Sequence, residues 1–204
     1  MTRSIVLVSL LVLAMVAVPL AASAVTEPKT KTEYPDRVTV AVDGRDVVLV
    51  ATGVGLREKT VAKVDVYTIV SYVSGEADLG ADPGAALRSL DVPKRIQLNL
   101  RREVGREKLL ASFRGGIERN FADTSPFADD LARFEALFDR DAREGDRIVF
   151  EYLPSQGLVI ALNDEVLGTI ENRAFVEALW TVWFGEKPAN DGLKRSLLSA
   201  LPQP

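Results

Sequence analysis

The residue types that this chain lacks narrow the chemistry that it can perform. It contains no histidine and no cysteine, which excludes triads with a histidine base, cysteine nucleophiles, and zinc sites with nitrogen or sulfur ligands. Acid–base work near neutral pH would need a tyrosine, a lysine or a carboxylate with a shifted pKa. Hard metals bound by oxygen are possible in principle, but the acidic run 139–146 has the wrong spacing for a calcium loop and contains arginines. That run is interpreted as a solvated turn, and no motif predicts a metal or a cofactor.

The side chain best placed for ligand contact is that of Arg57, which follows two closely spaced glycines. Gly53 and Gly55 indicate a backbone that turns tightly or is closely approached. Residues 61–73 then alternate between apolar and polar types, which is typical of a half-buried strand. Arg57 therefore lies where a loop leads into a sheet, a common position for ligand contact. Taken alone, it is more often a surface arginine paired with a nearby carboxylate.

Residues 1–24 are predicted to form a signal peptide. Arg3 supplies a short positive region, residues 5–18 form an uncharged apolar run, and residues 22–24 read Ala-Ser-Ala, a small-x-small cleavage signal. An uncleaved membrane anchor is the alternative, because the segment as a whole is just long enough to span a bilayer. Pro19 and the cleavage signal favour cleavage after residue 24. Without cysteine there is no lipoprotein anchor and no disulfide framework, and we expect a periplasmic or secreted protein.

Cleavage would leave 180 of the 204 residues, enough for one well-buried domain. The loss of Arg3 takes the net charge from −4 to −5, which argues against binding to nucleic acid. No later apolar run is long enough to span a bilayer, and the sequence leaves the oligomeric state open. Residues 25–36 are polar and aperiodic, so we predict a flexible lead-in there. The domain is predicted to cover residues 37–202.

Periodicity and turn signals predict an α+β domain with an antiparallel sheet covered by helices. Asp43-Gly44 between two alternating runs is a strong hairpin signal. Residues 94–100 alternate as another strand, and residues 147–162 indicate a second hairpin that leads into a strand at 166–170. Helices are predicted over 83–90, 106–120, 125–138, from about 172 to Gly185, and 191–201. The aromatic stripe of the 125–138 helix, Trp180 and Trp183 are all interpreted as core.

Three segments together resemble the bacterial, secreted branch of the chalcone isomerase-like proteins. They read GVGLREK followed by VDVYTIVSYV, then PKRIQLNLRREVGREKLLASF, and near the end IENRAFVEALWTVWFGEKPANDGLKRSLL. The resemblance implies an open-faced β-sandwich, in which helices pack on one face of a large antiparallel sheet and a ligand cleft lies between them. Related proteins include plant enzymes that close a chalcone into a flavanone, plastid fatty-acid-binding proteins, and members with no detected catalysis.

The resemblance assigns the catalytic arginine of the plant enzymes to Arg57, which would hold oxyanion character as the ring closes. The other plant positions are not matched. The sheet threonine falls on Tyr67, the helix tyrosine near Lys108, the asparagine near Gly115, and the C-terminal threonine around Val182. Losing one donor of this kind typically costs roughly 10²–10³ in rate. Efficient chalcone cyclisation is therefore not expected.

The leading hypothesis is a periplasmic protein that binds a small amphipathic anion such as a fatty acid without efficient catalysis. Arg57 would be the charged anchor, with Tyr67 and Lys108 as further ligand contacts, because an apolar cleft with a few polar groups suits such a ligand. One alternative is an intramolecular lyase that cyclises a chalcone-like enone. A second is an interaction module whose cleft is filled by its own side chains.

Overall fold

The computed structural model of this chain describes residues 23–59 and 64–201. Within these ranges the chain folds into β strands and α helices. The strands are Ala24–Thr26 (β1), Glu33–Pro35 (β2), Arg37–Val42 (β3), Arg45–Lys59 (β4), Val64–Ser74 (β5), Lys94–Leu100 (β6), Arg147–Leu153 (β7), Gly157–Leu162 (β8) and Glu165–Ile170 (β9). The α helices are Pro83–Ser89 (α1), Arg106–Glu118 (α2), Ala128–Ala136 (α3), Arg173–Phe184 (α4) and Asp191–Leu197 (α5). A 3₁₀ turn, Ser125–Phe127, leads into α3.

Strands β3 to β9 form one antiparallel sheet in which each strand pairs with the next along the chain. The turn between β3 and β4 contains Asp43 and Gly44, with φ angles of 50° and 74°. Positive φ at both central residues gives a turn whose twist matches that of the flanking strands. The predicted Asp-Gly hairpin is therefore confirmed. So are the strand over 94–100 and the hairpin over 147–162.

Helices cover one face of this sheet and enclose the larger core. The ring of Phe113 on α2 lies at the centre of an aromatic cluster, with its centroid 5.5 Å from those of Phe134 and Phe150. The apolar stripe predicted for the 125–138 helix is buried in this core at each of its four positions: Phe127, Leu131, Phe134 and Phe138. The predicted fold class, an antiparallel sheet with helices on one face, is confirmed.

The flexible lead-in predicted over residues 25–36 is wrong. Strands β1 and β2 form a small antiparallel hairpin there, and the Tyr34 ring is buried in a second core on the sheet face opposite the helices. The Tyr34 hydroxyl lies 2.6 Å from Oγ1 of Thr68 on β5. The segment forms this hairpin because its Tyr34 side chain buries apolar residues of β3 to β5 that would otherwise be exposed on that face. A single tyrosine in a polar stretch is too weak a pattern to predict this hairpin from the sequence.

The predicted signal peptide, residues 1–24, lies outside the described residues apart from its last two positions. The predicted domain, 37–202, is described up to Leu201 except for 60–63. Within the described ranges, no helix combines the length and the apolar character needed to cross a bilayer.

Candidate functional site

The glycines before Arg57 allow helix α5 to lie directly on strand β4. A Cβ atom on Gly53 would lie 2.6 Å from the carbonyl carbon of Leu197, and one on Gly55 would lie 2.5 Å from Cδ1 of Leu193. The neighbouring Thr52 hydroxyl donates to the Leu197 carbonyl at 2.8 Å. Of the two predictions for these glycines, a tight turn or a close approach, the close approach is confirmed, and the approaching group is α5. Gly53, Gly55 and Arg57 lie within β4 and not, as was predicted, in a loop that leads into the sheet.

Arg57 and Tyr67 are direct partners across the β4–β5 pair. Side chains of residues directly opposite in an antiparallel pair lie on the same face of the sheet, with Cβ atoms about 4.5–5.5 Å apart. Tyr67 packs against the larger core, so this is the face covered by the helices. The sheet therefore brings together the two residues that the sequence analysis placed first in the candidate site.

Within the described residues, the half-buried Arg57 side chain makes one hydrogen bond, from Nη1 to the carbonyl oxygen of Glu58 at 3.0 Å. Among residues 23–59 and 64–201 no carboxylate forms an ion pair with it. Two carboxylates at this end of the hairpin, those of Glu58 and Asp65, both contact the ammonium of Lys29 at 2.6 Å. The surface ion pair that general considerations favour for Arg57 is therefore not formed within the described part of the chain, where most of its N–H donors have no acceptor.

The Tyr67 hydroxyl accepts a hydrogen bond from Nε1 of Trp183 on α4 at 3.3 Å. Within the described ranges it donates to no acceptor, so its own proton is available to a ligand. Burial raises the pKa of Tyr67, against the opposing effects of the Trp183 hydrogen bond and the Arg57 charge. A phenol with a raised pKa stays protonated at neutral pH and is a hydrogen-bond donor, not a base.

The third predicted contact, Lys108, is exposed on α2. In the described structure its ammonium makes no hydrogen bond and no ion pair, and it does not join the Arg57–Tyr67 pair through either kind of contact. Its carbonyl oxygen accepts a hydrogen bond from the Ser112 hydroxyl within the helix. A ligand role for Lys108 therefore stays a prediction.

The two tryptophans of α4 are buried as predicted, Trp180 at 0% and Trp183 at 1% exposure. The polar role of Trp183, whose indole N–H donates to the Tyr67 hydroxyl, was not predicted from the sequence. No local signal could have shown it, because the contact joins residues 116 positions apart. Trp183 therefore acts both as core and as a support for the candidate site.

Lys94 is buried at the start of β6, and its role was also not predicted from the sequence. Its ammonium donates to the carbonyl oxygens of Leu87, Arg88 and Leu90, at 2.9, 3.1 and 3.0 Å. These carbonyls lie at the C-terminal end of α1, where backbone acceptors lack helical partners. Burial lowers the pKa of Lys94 to about 8. All three of its protons are used, so its role is to close a helix end.

The acidic run 139–146 contains a turn, as interpreted from the sequence, but its last residue, Asp146, is buried and not solvated. Asp146 accepts hydrogen bonds from Nη1 of Arg140 at 2.7 Å, the backbone N–H of Arg143 at 2.8 Å, and Nδ2 of Asn163 at 2.7 Å. Burial alone would raise the pKa of Asp146, but these hydrogen bonds outweigh it and lower the pKa to about 2. In the described part of the chain, no group of acidic side chains is arranged to hold a metal ion.

This architecture is also found in a protein of known structure. The fold is similar to the crystal structure of a fatty-acid-binding protein from Arabidopsis thaliana, with a TM-score of 0.68. The two sequences are 19% identical, over 86% of this chain and 96% of that chain, so the likeness shows the fold alone. A search of curated proteins gives no match. The model of a family described as chalcone isomerase-like matches residues 29–199. The chain therefore belongs to the chalcone isomerase-like family.

Proposed function

We propose that this protein binds a small amphipathic anion such as a fatty acid, with Arg57 as its charged anchor and Tyr67 as a hydrogen-bond donor. The observation that carries the proposal is the cross-strand pair itself, because both side chains have donors that the described residues do not use. A carboxylate offers two oxygens that can accept from a guanidinium and a phenol together. The similarity in fold to a fatty-acid-binding protein supports the same class of ligand.

The surroundings of the pair suit a ligand with one charged end. Tyr67 is opposite Arg57 on one side and opposite Leu100 of β6 on the other. Arg57, Tyr67 and Leu100 therefore form a row across three strands. Along this row the side chain changes from a cation to a phenol and then to an aliphatic group, and the aliphatic Leu100 is only 2% exposed. A fatty acid has the same order of groups, with a carboxylate followed by an apolar chain. Burial of that chain against apolar side chains would supply most of the binding energy.

Weak or absent cyclisation activity is part of the proposal. The position of the C-terminal threonine of the plant enzymes falls around Val182, whose methyl groups would lie 2.9 and 3.1 Å from a Cβ on Gly116 of α2. The neighbouring Thr181 hydroxyl donates within its own helix to the Ala178 carbonyl at 2.6 Å. Neither side chain supplies a free donor for an enone oxygen, which supports binding without efficient catalysis.

Displacement of a fluorescent fatty acid by laurate tests the proposal. Arg57→Gln removes a charge-assisted interaction worth about 1.5–3 kcal/mol, so affinity should fall roughly ten- to hundredfold. Tyr67→Phe should give a smaller loss and leave the core packed. Arg102→Gln is the matched control, because Arg102 is an exposed arginine just beyond the end of β6. Equal affinities of the wild type, Arg57→Gln and the control would contradict the proposal.

Two further measurements separate the alternatives. Mass spectrometry of an organic extract of the purified protein should detect bound lipid, whereas a module filled by its own side chains would contain none. Incubation with a chalcone should leave the visible absorbance decaying at the rate of the buffer control. A faster decay that Arg57→Gln abolishes would favour the intramolecular lyase.

We also propose that the protein acts in the periplasm or outside the cell after cleavage behind Ala24. The support is the sequence of residues 1–24, with its single arginine, apolar run and small-x-small end. Mass spectrometry of the protein from its native host should give a mature chain that begins at Val25. A chain that retains residues 1–24 in the membrane fraction would instead support the uncleaved anchor.

A further inference from the structure

A cleft of about 370 Å³ lies where α1, α2 and α4 end, and it contains none of the residues of the Arg57–Tyr67 pair. Arg88 of α1 lines one side, and Arg119 and Phe121 follow the end of α2. Glu186 and Lys187, just beyond α4, complete the rim. Ligand pockets commonly have volumes of about 300–1,000 Å³, so the cleft is large enough for a small organic molecule.

Asn120 fixes the shape of this cleft by joining the ends of α2 and α4. Its Nδ2 donates to the carbonyl oxygens of Gly116 at 3.0 Å and Lys187 at 3.1 Å, with a longer contact of 3.4 Å to that of Thr181. Its Oδ1 accepts from the backbone N–H of Lys187 at 2.9 Å. Because Asn120 uses both ends of its amide on backbone groups, the wall that it forms is preorganised.

The charges that line the cleft are not balanced. Arg88, Arg119 and Lys187 make no side-chain hydrogen bond or ion pair with any part of residues 23–59 or 64–201. Of the two carboxylates, that of Glu177 forms an ion pair with Arg173 at 3.2 Å, while the Glu186 carboxylate has no such partner within those ranges. Arg173 also pairs with Asp91 at 3.6 Å, so it does not cancel the Glu177 charge. Three cations and two carboxylates therefore leave an excess of one positive charge.

Helix ends offer another explanation for these cations, since carbonyl groups at a C-terminus attract positive charge. The carbonyls in question already have donors. Lys94 closes the end of α1, and the Thr181 carbonyl of α4 accepts from the Gly185 N–H at 3.0 Å. The Gly185 carbonyl accepts from the ammonium of Lys194 at 2.9 Å. At the end of α2 the Ile117 carbonyl accepts from the N–H groups of Asn120 and Phe121, at 2.8 and 3.2 Å. None of the three cationic side chains makes a capping hydrogen bond within the described residues.

We propose that this cleft is a second binding site, which takes a small organic dianion of the phosphate-monoester or dicarboxylate kind. Two arginines and a lysine line one concave surface, without partners in the described ranges. Guanidinium groups bind phosphate and carboxylate oxygens in a bidentate manner. Phe121 offers an apolar surface for the organic part of the ligand. It is half-buried and packs edge to face on Phe127, with centroids 5.3 Å apart. The site is independent of Arg57 and Tyr67.

Isothermal titration at low salt with phenyl phosphate, succinate and acetate tests this site. We expect saturable binding of at least one dianion with one site per chain, and at least tenfold weaker binding of the monoanion acetate. Affinity for the dianion should fall with added salt. Arg119→Gln combined with Lys187→Gln should weaken the dianion at least tenfold. Both side chains are exposed and make no hydrogen bond or ion pair with the described residues, so the variant should unfold at the wild-type temperature.

Arg102→Gln again serves as the control and should bind the dianion as the wild type does. Binding of phenyl phosphate alone would identify a phosphate site, and binding of succinate alone a dicarboxylate site; both support the proposal. Three results would overturn it: no saturable binding of either dianion at millimolar concentration, equal affinity in the double variant, or equal affinity for acetate. None of these depends on fatty-acid binding, which Arg57→Gln tests separately.

Discussion

Replacing Gly53 by alanine should release α5 from the sheet, because the added methyl group would meet backbone atoms and not a movable side chain. The nearest groups are the carbonyl of Ser196 and the carbonyl carbon and oxygen of Leu197, the latter two at 2.6 and 2.8 Å. The φ angle of 157° at Gly53 adds a conformational cost for any residue with a Cβ. A rotamer change cannot relieve this clash, so either β4 or α5 must move.

The expected loss in the free energy of unfolding follows from the contacts that hold α5 on the sheet. Overpacking of a core typically costs about 1–3 kcal/mol, and a clash with backbone should reach the upper end. If α5 separates, two hydrogen bonds at Thr52 are lost, to the Leu197 carbonyl and from the Ala200 N–H, at about 1 kcal/mol each. The buried Leu193 and Leu197 side chains would be exposed at about 2 kcal/mol each. We therefore expect a loss of about 3 to 6 kcal/mol in the free energy of unfolding.

Urea unfolding followed by tryptophan fluorescence measures this loss. Gly75→Ala is the matched control, because a Cβ there would make only ordinary contacts, at 3.5 and 3.6 Å. It should be neutral or stabilise by up to about 1 kcal/mol. Hydrogen exchange at the Ala200 amide should become faster in Gly53→Ala alone. If the two variants agree within about 0.5 kcal/mol, the assignment of Gly53 to helix packing is refuted.

Two further predictions concern Asp146 and Tyr34. The lowered pKa of Asp146, about 2, means that its stabilising effect is present above the unfolded value near 4 and is lost as the pH falls toward 2. The stability difference between the wild type and Asp146→Asn should therefore shrink when urea midpoints are compared at about pH 5 and pH 2.5; a constant difference would contradict the assignment. Tyr34→Ala should cost about 3–5 kcal/mol in thermal unfolding, because the ring is 2% exposed. A cost near zero would instead support the prediction that residues 25–36 are a flexible lead-in.

The sequence alone determined most of the local structure. Alternation defined strands such as Lys94–Leu100, and Asp43-Gly44 defined a hairpin, because both signals depend on neighbouring residues only. The spacing of Phe127, Leu131, Phe134 and Phe138 was enough to predict a buried stripe for the same reason. The order of these elements predicted an antiparallel sheet covered by helices, and the resemblance to a family added that the helices pack on one face of it.

Tertiary structure decided what the polar residues do. Arg57 and Tyr67 share one face of the sheet because of the β4–β5 register, and the indole of Trp183 reaches Tyr67 only because α4 packs on that face. The glycine pair serves α5 because helix packing brings together residues more than a hundred positions apart. The burial of Lys94 and the convergence of Arg88, Arg119 and Lys187 at one cleft also depend on how the helices end on the sheet. Local sequence patterns indicate secondary-structure propensity and periodicity. The partner of a charged side chain depends instead on which groups lie close to it in the folded chain.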